Sequence, residues 1–439
     1  MPTDTRLTIV FMPESAYGPT NNCIGVGKVL EQRGHRVVFA AEASWKGRLQ
    51  PLGFEEDLVD LAPAEPDQGD HDAGQFWTDF ITETAPEFRK PTIEQLETFI
   101  EPVFRSLIDG AKFCQPQLKD VLERANPDVI VEDNVSVFPA LLTHGAPWVR
   151  IMSCNPLEMK DPDLPPTFSG YPAADRTGWD EYRAELERTH RPLWEEANAW
   201  VLEQGAPPLP DLEFIHESPH LNLSLFPEVA DYPRSRPLGP TWHRLDSSVR
   251  GTEEPFEIPD ALRDGTGGLV YLSLGSLGSA DVELMKRLVT VLADTPHRYV
   301  VSKGPRADEL DLPDNMWGQS RVPQTSIIPL VDLVITHGGN NTTTEAFHFG
   351  KPMIVLPLFW DQYDNAQRVD ELGRGVRLET YAFEDDELRG AVDRLLGDRT
   401  LRGRMAADGE EIRRRDGKTK AADLIEELGR RRRPRREAG

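Results

Sequence analysis

Residues 322–366 read VPQTSIIPLVDLVITHGGNNTTTEAFHFGKPMIVLPLFWDQYDNA, and the rest of the chain can be interpreted from this stretch. The apolar run Leu333–Ile335 predicts a short buried strand. A glycine-rich turn, Thr336–Gly339, follows the strand. The polar run Asn340–Glu345 then predicts the start of a helix, because its amide and hydroxyl side chains can satisfy free backbone N–H groups. A strand, a tight turn and a helix in this order indicate an α/β unit.

The start of this helix is also a predicted anion site. A helix N-terminus directs free N–H groups and the positive end of the helix dipole toward negative charge. His337 stands at the strand end, where its ring can donate to a phosphate oxygen. A second apolar run, Met353–Leu356, predicts a neighbouring strand that delivers Asp361 and Gln362 to the same edge of the sheet. A polar cluster for phosphate beside a polar cluster for hydroxyls suits a nucleotide sugar.

Several short motifs in this stretch occur in register with one another. They are Pro323-Gln324, the run from His337 to Glu345, Gly350-Lys351-Pro352, Pro357, Asp361-Gln362 and Asn365-Ala366. Together they resemble the donor-binding signature of the UDP-glycosyltransferases (family 1), in particular the macrolide-type bacterial branch. The resemblance implies an α/β protein with the GT-B fold, in which two doubly wound Rossmann-like domains face each other across a cleft. One departure is Arg321, in a region where relatives usually carry Trp beside the Pro-Gln pair.

The resemblance implies a set of donor-binding residues. They are Ser276, Pro323, Gln324, His337, Gly339, Asn341, Thr342, Glu345, Asp361 and Gln362. In the family, the residues matching His337, Asn341, Thr342 and Ser276 contact the diphosphate, and the Glu345 position binds the ribose hydroxyls. Asp361 and Gln362 match the pair that holds the sugar, and the segment around Gln324 reads the base. Two alternatives stay open: His337 as a buried structural histidine, and Glu345 as an acid that merely stabilises the first helical turn.

The predicted catalytic centre departs from the family. Relatives carry a catalytic histidine after the first strand, usually as Gly-His-x-x-Pro, and the matching stretch here is 18–22, GPTNN. Pro19 occupies the histidine position and has no titratable group. Asp133 matches the family acid that hydrogen-bonds the histidine, so we take it as the candidate base, with Glu14 and Tyr17 as weaker candidates. Alternatively, Asp133 only caps a nearby helix. An acceptor more acidic than an aliphatic alcohol would need less help from a carboxylate.

Length and composition limit the other possibilities. At 439 residues the chain is long enough for two domains, each with its own core. The net charge of −25 argues against a nucleic-acid partner, because phosphate binding needs a basic face. Three cysteines without metal spacing fit a reducing cytoplasm. No leader and no run of eighteen apolar residues is present, so we expect no membrane span.

Pattern changes along the chain predict its organisation. We expect an N-terminal acceptor-binding domain (1–226), a linker (227–267), a C-terminal nucleotide-sugar domain with a closing helix (268–428) and a basic disordered tail (429–439). Aromatic residues on helical segments of the first domain can line an acceptor pocket or belong to the core. They are Phe76, Trp77, Phe80, Phe88, Phe99 and Phe104.

Three functional hypotheses follow. The first is an inverting glycosyltransferase that moves a hexose, in the first instance glucose, from a UDP-sugar to a small lipophilic acceptor such as a natural product. It would need no cofactor and no metal, because the helix dipole and hydrogen-bond donors replace a divalent ion in the family. The second is a catalytically silent homologue that binds a nucleotide sugar or a partner enzyme, which the proline at position 19 suggests. The third is a sugar-nucleotide epimerase of the same fold.

Overall fold

The computed structural model describes residues 6–63, 83–265 and 267–436, with side chains described as far as Arg431. These residues form two parallel sheets. The strands of the first sheet are β1 (Thr8–Pro13), β2 (Arg36–Phe39), β3 (Glu55–Glu56), β4 (Val129–Asp133), β5 (Trp148–Met152), β6 (Leu221–Ser224) and β7 (Trp242–Arg244). The strands of the second are β8 (Leu269–Ser273), β9 (Arg298–Ser302), β10 (Met316–Gln319), β11 (Leu333–Thr336), β12 (Met353–Val355) and β13 (Gly375–Arg377).

Helices cover both faces of the two sheets. They are α1 (Tyr17–Gln32), α2 (Thr92–Gln95), α3 (Glu101–Ala125), α4 (Pro139–Thr143), α5 (Trp179–Glu203), α6 (Gly275–Gly278), α7 (Val282–Ala293), α8 (Gln324–Ile327), α9 (Asn340–His348), α10 (Gln362–Glu371), α11 (Asp385–Gly397), α12 (Arg399–Arg415) and α13 (Gly417–Arg436). A π-helical turn, Leu96–Ile100, joins α2 to α3. None of the helices in the described ranges is long and apolar enough to cross a membrane.

The strand order explains why the chemistry gathers at one edge of each sheet. The first sheet has the order β3-β2-β1-β4-β5-β6-β7 and the second β10-β9-β8-β11-β12-β13. All strand pairs are parallel, so in each sheet the carboxyl ends lie at one edge. The strand order changes direction between β1 and β4 in the first sheet and between β8 and β11 in the second. In doubly wound sheets a ligand-binding crevice opens at such a point. The prediction of two doubly wound α/β units is confirmed.

The predicted linker differs from the structure. Within 227–267, strand β7 pairs with β6, with Trp242 opposite Asn222, and so extends the first sheet. The first sheet therefore continues past residue 226. A strand of three residues carries too little alternation to stand out from a segment rich in proline and charge.

The end of the chain also differs from the prediction. Helix α13 continues to Arg436, through much of the tail that was expected to be disordered. It does not close the second domain but returns to the first: Ala421, Ala422 and Ile425 lie in one hydrophobic cluster with Leu7 of the opening segment. The small and apolar residues of α13 pack against the first sheet, near its central strand β1.

We expect Ile425→Ala to destabilise the first domain by about 2–4 kcal/mol, because Ile425 is fully buried and its loss leaves a cavity. Glu427→Ala, on the exposed face of the same helix, is the matched control and should change the free energy of unfolding by less than about 0.5 kcal/mol. Urea unfolding of the two variants measures both values. Equal losses would mean that α13 does not form part of the first core.

Candidate active site

A cavity of about 790 Å³ lies between the two sheets, where the carboxyl ends of their strands face each other. Ten of the twelve predicted site residues line it. They are Glu14, Asp133, Ser276, Gln324, His337, Gly339, Asn341, Thr342, Asp361 and Gln362. Pro323 and Glu345 lie outside the lining. A cavity of this size suits a small-molecule ligand.

The turn between β11 and α9 leaves the start of the helix open toward this cavity. Gly338 has a φ of +86°, and a Cβ there would lie 2.7 Å from Val355 Cγ1, so only glycine fits. Gly339 precedes the helix and offers no side chain to cap it. Within the described ranges the Asn340 amide, which is 8% exposed, has no hydrogen-bond partner either. The N–H groups at this positive helix end and the Asn340 amide therefore have no side-chain partner, which leaves them available to an anion.

His337 lies between two glycines at the same place. A Cβ on Gly275 would come within 2.6 Å of the ring, and a Cβ on Gly339 within 2.5 Å. Burial lowers the pKa of His337 to about 4, although a hydrogen bond to the Ser273 carbonyl favours the charged form. The imidazole is therefore neutral at pH 7 without a ligand. The ring stands beside the helix start, and its contact with a phosphate stays a prediction.

Two helix starts meet across the cleft. Asn341 Nδ2 donates to the carbonyl oxygen of Gly18, in the first turn of α1, at 3.0 Å. The guanidinium of Arg321 lies 4.5 Å from the centre of the Tyr17 ring, again joining the two domains. Arg321 therefore contributes a cation–π contact where relatives usually carry Trp.

Glu345 is held by a residue that the sequence did not indicate. Arg250, from the segment predicted as linker, donates to Glu345 Oε1 at 2.9 Å and also pairs with Glu253. Gln324 Nε2 donates to Glu345 Oε2 at 2.5 Å, and Tyr271 donates to Gln324 Oε1 at 3.0 Å. Burial raises the pKa of Glu345, and the Arg250 charge opposes the shift. Glu345 is thus a member of a buried network behind the cavity wall.

Hydrogen bonds within the protein orient the side chains of Asp361 and Gln362. Asp361 Oδ2 accepts from the backbone N–H of Asn155, in the first domain, at 2.8 Å. Burial raises the pKa of Asp361 to about 7. Gln362 Oε1 accepts from the N–H groups of Leu358 and Phe359, at 3.1 and 3.2 Å, which fixes the amide in its own loop. No local sequence pattern indicates Asn155, because it lies 206 residues before Asp361.

Asp133 ends strand β4 on the opposite wall and is 2% exposed. Its carboxylate accepts from the Ser153 hydroxyl at 2.7 Å and from Asn22 Nδ2 at 3.4 Å. Burial raises its pKa well above the usual value, and those two hydrogen bonds only partly oppose the shift. A carboxylate with a raised pKa is a stronger base. Pro19 lines the cavity in the first turn of α1.

Glu14 has a local structural role. Its Oε1 accepts from the Ser15 hydroxyl at 2.8 Å, and its Oε2 accepts from the backbone N–H of Ala16 at 3.0 Å. The carboxylate thereby stabilises the turn that leads into α1, although it lines the cavity. This geometry favours Asp133 over Glu14 as the base.

The aromatic residues of the first domain join the two domains. Phe88 lies 4.9 Å from Phe359, and Phe104 lies 5.0 Å from Trp360, measured between ring centres. Phe99 lines the cavity, whereas Phe88 is buried in the core, so both interpretations of this group apply in part. Phe76, Trp77 and Phe80 lie outside the described residues.

No cluster of three metal-ligating side chains occurs in the part of the chain that the structure describes.

The chain is similar in sequence to known proteins. Residues 286–427 match the family "Erythromycin biosynthesis protein CIII-like, C-terminal domain". The chain is 25% identical over 422 residues to the NDP-glycosyltransferase YjiC of Bacillus subtilis, covering 94% of both chains. It is 25% identical to the oleandomycin glycosyltransferase of Streptomyces antibioticus, covering 96% of this chain and 91% of that one.

Solved structures resemble the whole chain. The glycotransferase of kitacinnamycin superposes with a TM-score of 0.70 at 22% identity, covering 96% of this chain and 99% of that one. The glycosyltransferase VinC, solved in complex with dTDP, superposes with a TM-score of 0.61 at 18% identity, covering 96% and 100%. The architecture is therefore that of the GT-B glycosyltransferases.

Fold, cavity and relatives together define a sugar-transferring enzyme. Within that class, the chain is similar to family 1 glycosyltransferases, the family that its donor signature resembles. The relatives give no support to the catalytically silent alternative, and they favour transfer over epimerisation.

We expect Gly275→Ala to lower kcat/KM by about 10²-fold, because the added methyl group pushes the His337 ring away from the anion site. Gly373→Ala is the matched control: it has a similar positive φ of +59°, and the nearest atom to its Cβ is 4.0 Å away. Both variants carry similar backbone strain, so only the first should lose activity. Steady-state kinetics on the folded variants measures the difference, and a loss of less than threefold for Gly275→Ala would make His337 a purely structural residue.

We expect activity to rise with pH through a limb that lies well above pH 4, because a base must be deprotonated and burial raises the pKa of Asp133. In Asp133→Asn that limb should disappear, and kcat should fall by about 10²–10⁴-fold. The measurement is log kcat/KM against pH. Glu14→Gln is the control and should keep the profile. Loss in Glu14→Gln alone would assign the base to Glu14 instead.

Proposed function

We propose that the protein transfers a hexose, in the first instance glucose, from a UDP-sugar to a small lipophilic acceptor with inversion at the anomeric carbon. The observation that carries the proposal is the pairing of an open helix start with a buried carboxylate on opposite walls of one cavity. The helix side suits the leaving diphosphate, and the carboxylate side suits the attacking oxygen.

The three cysteines are free, which supports a reducing compartment such as the cytoplasm.

The donor side supplies positive potential where the reaction develops negative charge. As the bond between the sugar and the diphosphate breaks, charge accumulates on the β-phosphate oxygen. The N–H groups at the start of α9 and the His337 ring stand where they can donate to that phosphate. Binding of a diphosphate also favours the protonated imidazole, because an adjacent negative charge raises a histidine pKa.

The acceptor side removes one proton. The acceptor oxygen attacks the anomeric carbon from the face opposite the diphosphate, its proton passes to the Asp133 carboxylate, and UDP leaves. Attack from the opposite face accounts for inversion. Ser153 and Asn22 hold the carboxylate by its two oxygens, so it keeps one orientation. We assign Asp361 and Gln362 to the sugar hydroxyls, since both line the cavity between these two walls.

The acceptor is lipophilic and acidic in this proposal. Phe99, Val103 and Phe359 give the acceptor side an apolar wall. Pro19 replaces the histidine of the family, so deprotonation depends on a carboxylate alone. A phenol or a carboxylic acid loses its proton more readily than an aliphatic alcohol and fits this base better.

The test is a mass-spectrometric screen of UDP- and dTDP-sugars against matched phenols and aliphatic alcohols. We expect hexose transfer from a UDP-sugar to phenols, with kcat/KM at least about tenfold higher than for alcohols of equal size. Such a ratio corresponds to about 1.4 kcal/mol in the barrier.

Pro19→His is the informative variant for the same screen. It restores the family base, and it should raise turnover of alcohols more than that of phenols. Absence of transfer from every donor would refute the function. Transfer from dTDP-sugars alone would correct only the nucleotide, and a preference for alcohols would remove the role given to Asp133.

A further inference from the structure

A second and smaller cavity, of about 50 Å³, lies behind the acceptor side of the cleft. We call it the recess. Its walls come from α5, from the loop at 167–168 and from the segment 212–215. It shares three wall residues with the large cavity, namely Val135, Glu158 and Trp360. About 10–15 Å³ of free space of this kind suffices for one water molecule, so the recess admits a group of a few non-hydrogen atoms.

The recess has an aromatic wall. The rings of Phe104 and Phe214 stack with their centres 4.4 Å apart, and Trp360 lies 4.5 Å from Phe168. Trp360, which lines both the recess and the large cavity, has a φ of +59°, a backbone conformation that is rare for a bulky residue. Flat rings stacked in this way favour a flat apolar partner next to them.

Two buried nitrogens of the recess residues are unsatisfied. His190 Nε2 and Arg150 Nε have no hydrogen-bond partner in the described part of the chain, and the two side chains are 2% and 3% exposed. A buried polar atom without a partner costs about 1–3 kcal/mol. A ligand that supplies both partners would recover that free energy on binding.

The tautomer of His190 follows from its neighbours. The Thr189 hydroxyl donates to the Glu185 carbonyl at 2.8 Å, so its oxygen must accept from His190 Nδ1, 2.7 Å away. Burial lowers the pKa of His190 to about 4, so the ring is neutral and Nε2 carries a lone pair. His190 Nε2 is therefore an acceptor, whereas Arg150 Nε–H is a donor. A hydroxyl group both donates and accepts hydrogen bonds, so its chemistry suits either nitrogen.

The charges around the recess cancel. Arg150 pairs with Glu158, and Lys160 stands with Glu213 on the same wall. Two positive and two negative groups leave no net charge to attract an ion. The occupant is therefore a neutral polar group.

We propose that the recess is the distal acceptor subsite, and that it selects planar aromatic acceptors carrying a hydroxyl group at the end remote from the reacting oxygen. This inference rests on the proposed function, because it names the acceptor class of the same cleft. The aromatic wall holds the ring edge, and His190 and Arg150 hold the distal hydroxyl.

The test compares acceptor pairs that differ only in that hydroxyl, in two lengths. The pairs are 4-phenylphenol with 4,4′-dihydroxybiphenyl, and 4-hydroxystilbene with 4,4′-dihydroxystilbene. We expect at least one pair to show a tenfold or greater preference for the diol in kcat/KM, beyond the factor of two that two equivalent hydroxyls provide. Equilibrium binding, followed by tryptophan fluorescence, should show the same order.

His190→Phe keeps a ring of similar size and removes the accepting nitrogen, so the preference should fall to within about threefold. His190→Gln, which places an amide oxygen near the position of Nε2, should retain most of it. Equal kcat/KM within both wild-type pairs, or a preference that persists in folded His190→Phe, would overturn the inference. A binding preference without transfer to any acceptor would uphold the subsite and refute the proposed function instead.

Discussion

The helix that begins at Asn340 has no side-chain cap, and the rest of the site is arranged around its open start. A buried helix end with unsatisfied N–H groups is costly unless a ligand completes it. The glycines at 338 and 339 enforce this arrangement: the first makes the turn at positive φ, and the second leaves room for the His337 ring. The local sequence thus leaves the helix start without a cap, which is the arrangement that the proposed anion site requires.

The second constraint is the contact between the domains. Asp364, on helix α10, accepts from the backbone N–H groups of Phe168 and Gly170 at 2.6 and 2.8 Å. Burial raises the pKa of Asp364 to about 8. On the same helix, Arg368 Nε donates to the Ala230 carbonyl at 2.7 Å. These hydrogen bonds attach α10 of the second domain to loops of the first, so they fix the position of α10 relative to the first domain.

Local patterns predicted the parts of the site that lie close together in the sequence. The strand, turn and helix from Leu333 to Glu345 and the acid at the end of β4 could be found because apolar periodicity and capping residues act over a few positions. Arg250 and Asn155 could not be found this way. Their partners, Glu345 and Asp361, are 95 and 206 residues away, and only the packing of the two domains brings them together.

The same reasoning accounts for the errors at the element boundaries. Small and apolar residues of α13 pack on the first sheet, and this packing determines the path of the helix. The basic composition of the tail does not determine it. Trp242–Arg244 becomes a strand because β6 offers a free edge, although the segment itself has weak β pattern. In both places the tertiary context overrides the local signal.

Isothermal titration of the purified protein with UDP and with dTDP tests the central claim most directly, since it needs no knowledge of sugar or acceptor. The account predicts saturable binding of UDP at submillimolar concentration, and weaker binding in His337→Ala at unchanged stability. Absence of heat with either nucleotide at millimolar concentration would contradict the assignment of the open helix start as the diphosphate site. Equal affinity in the folded variant would contradict the role of His337 in it.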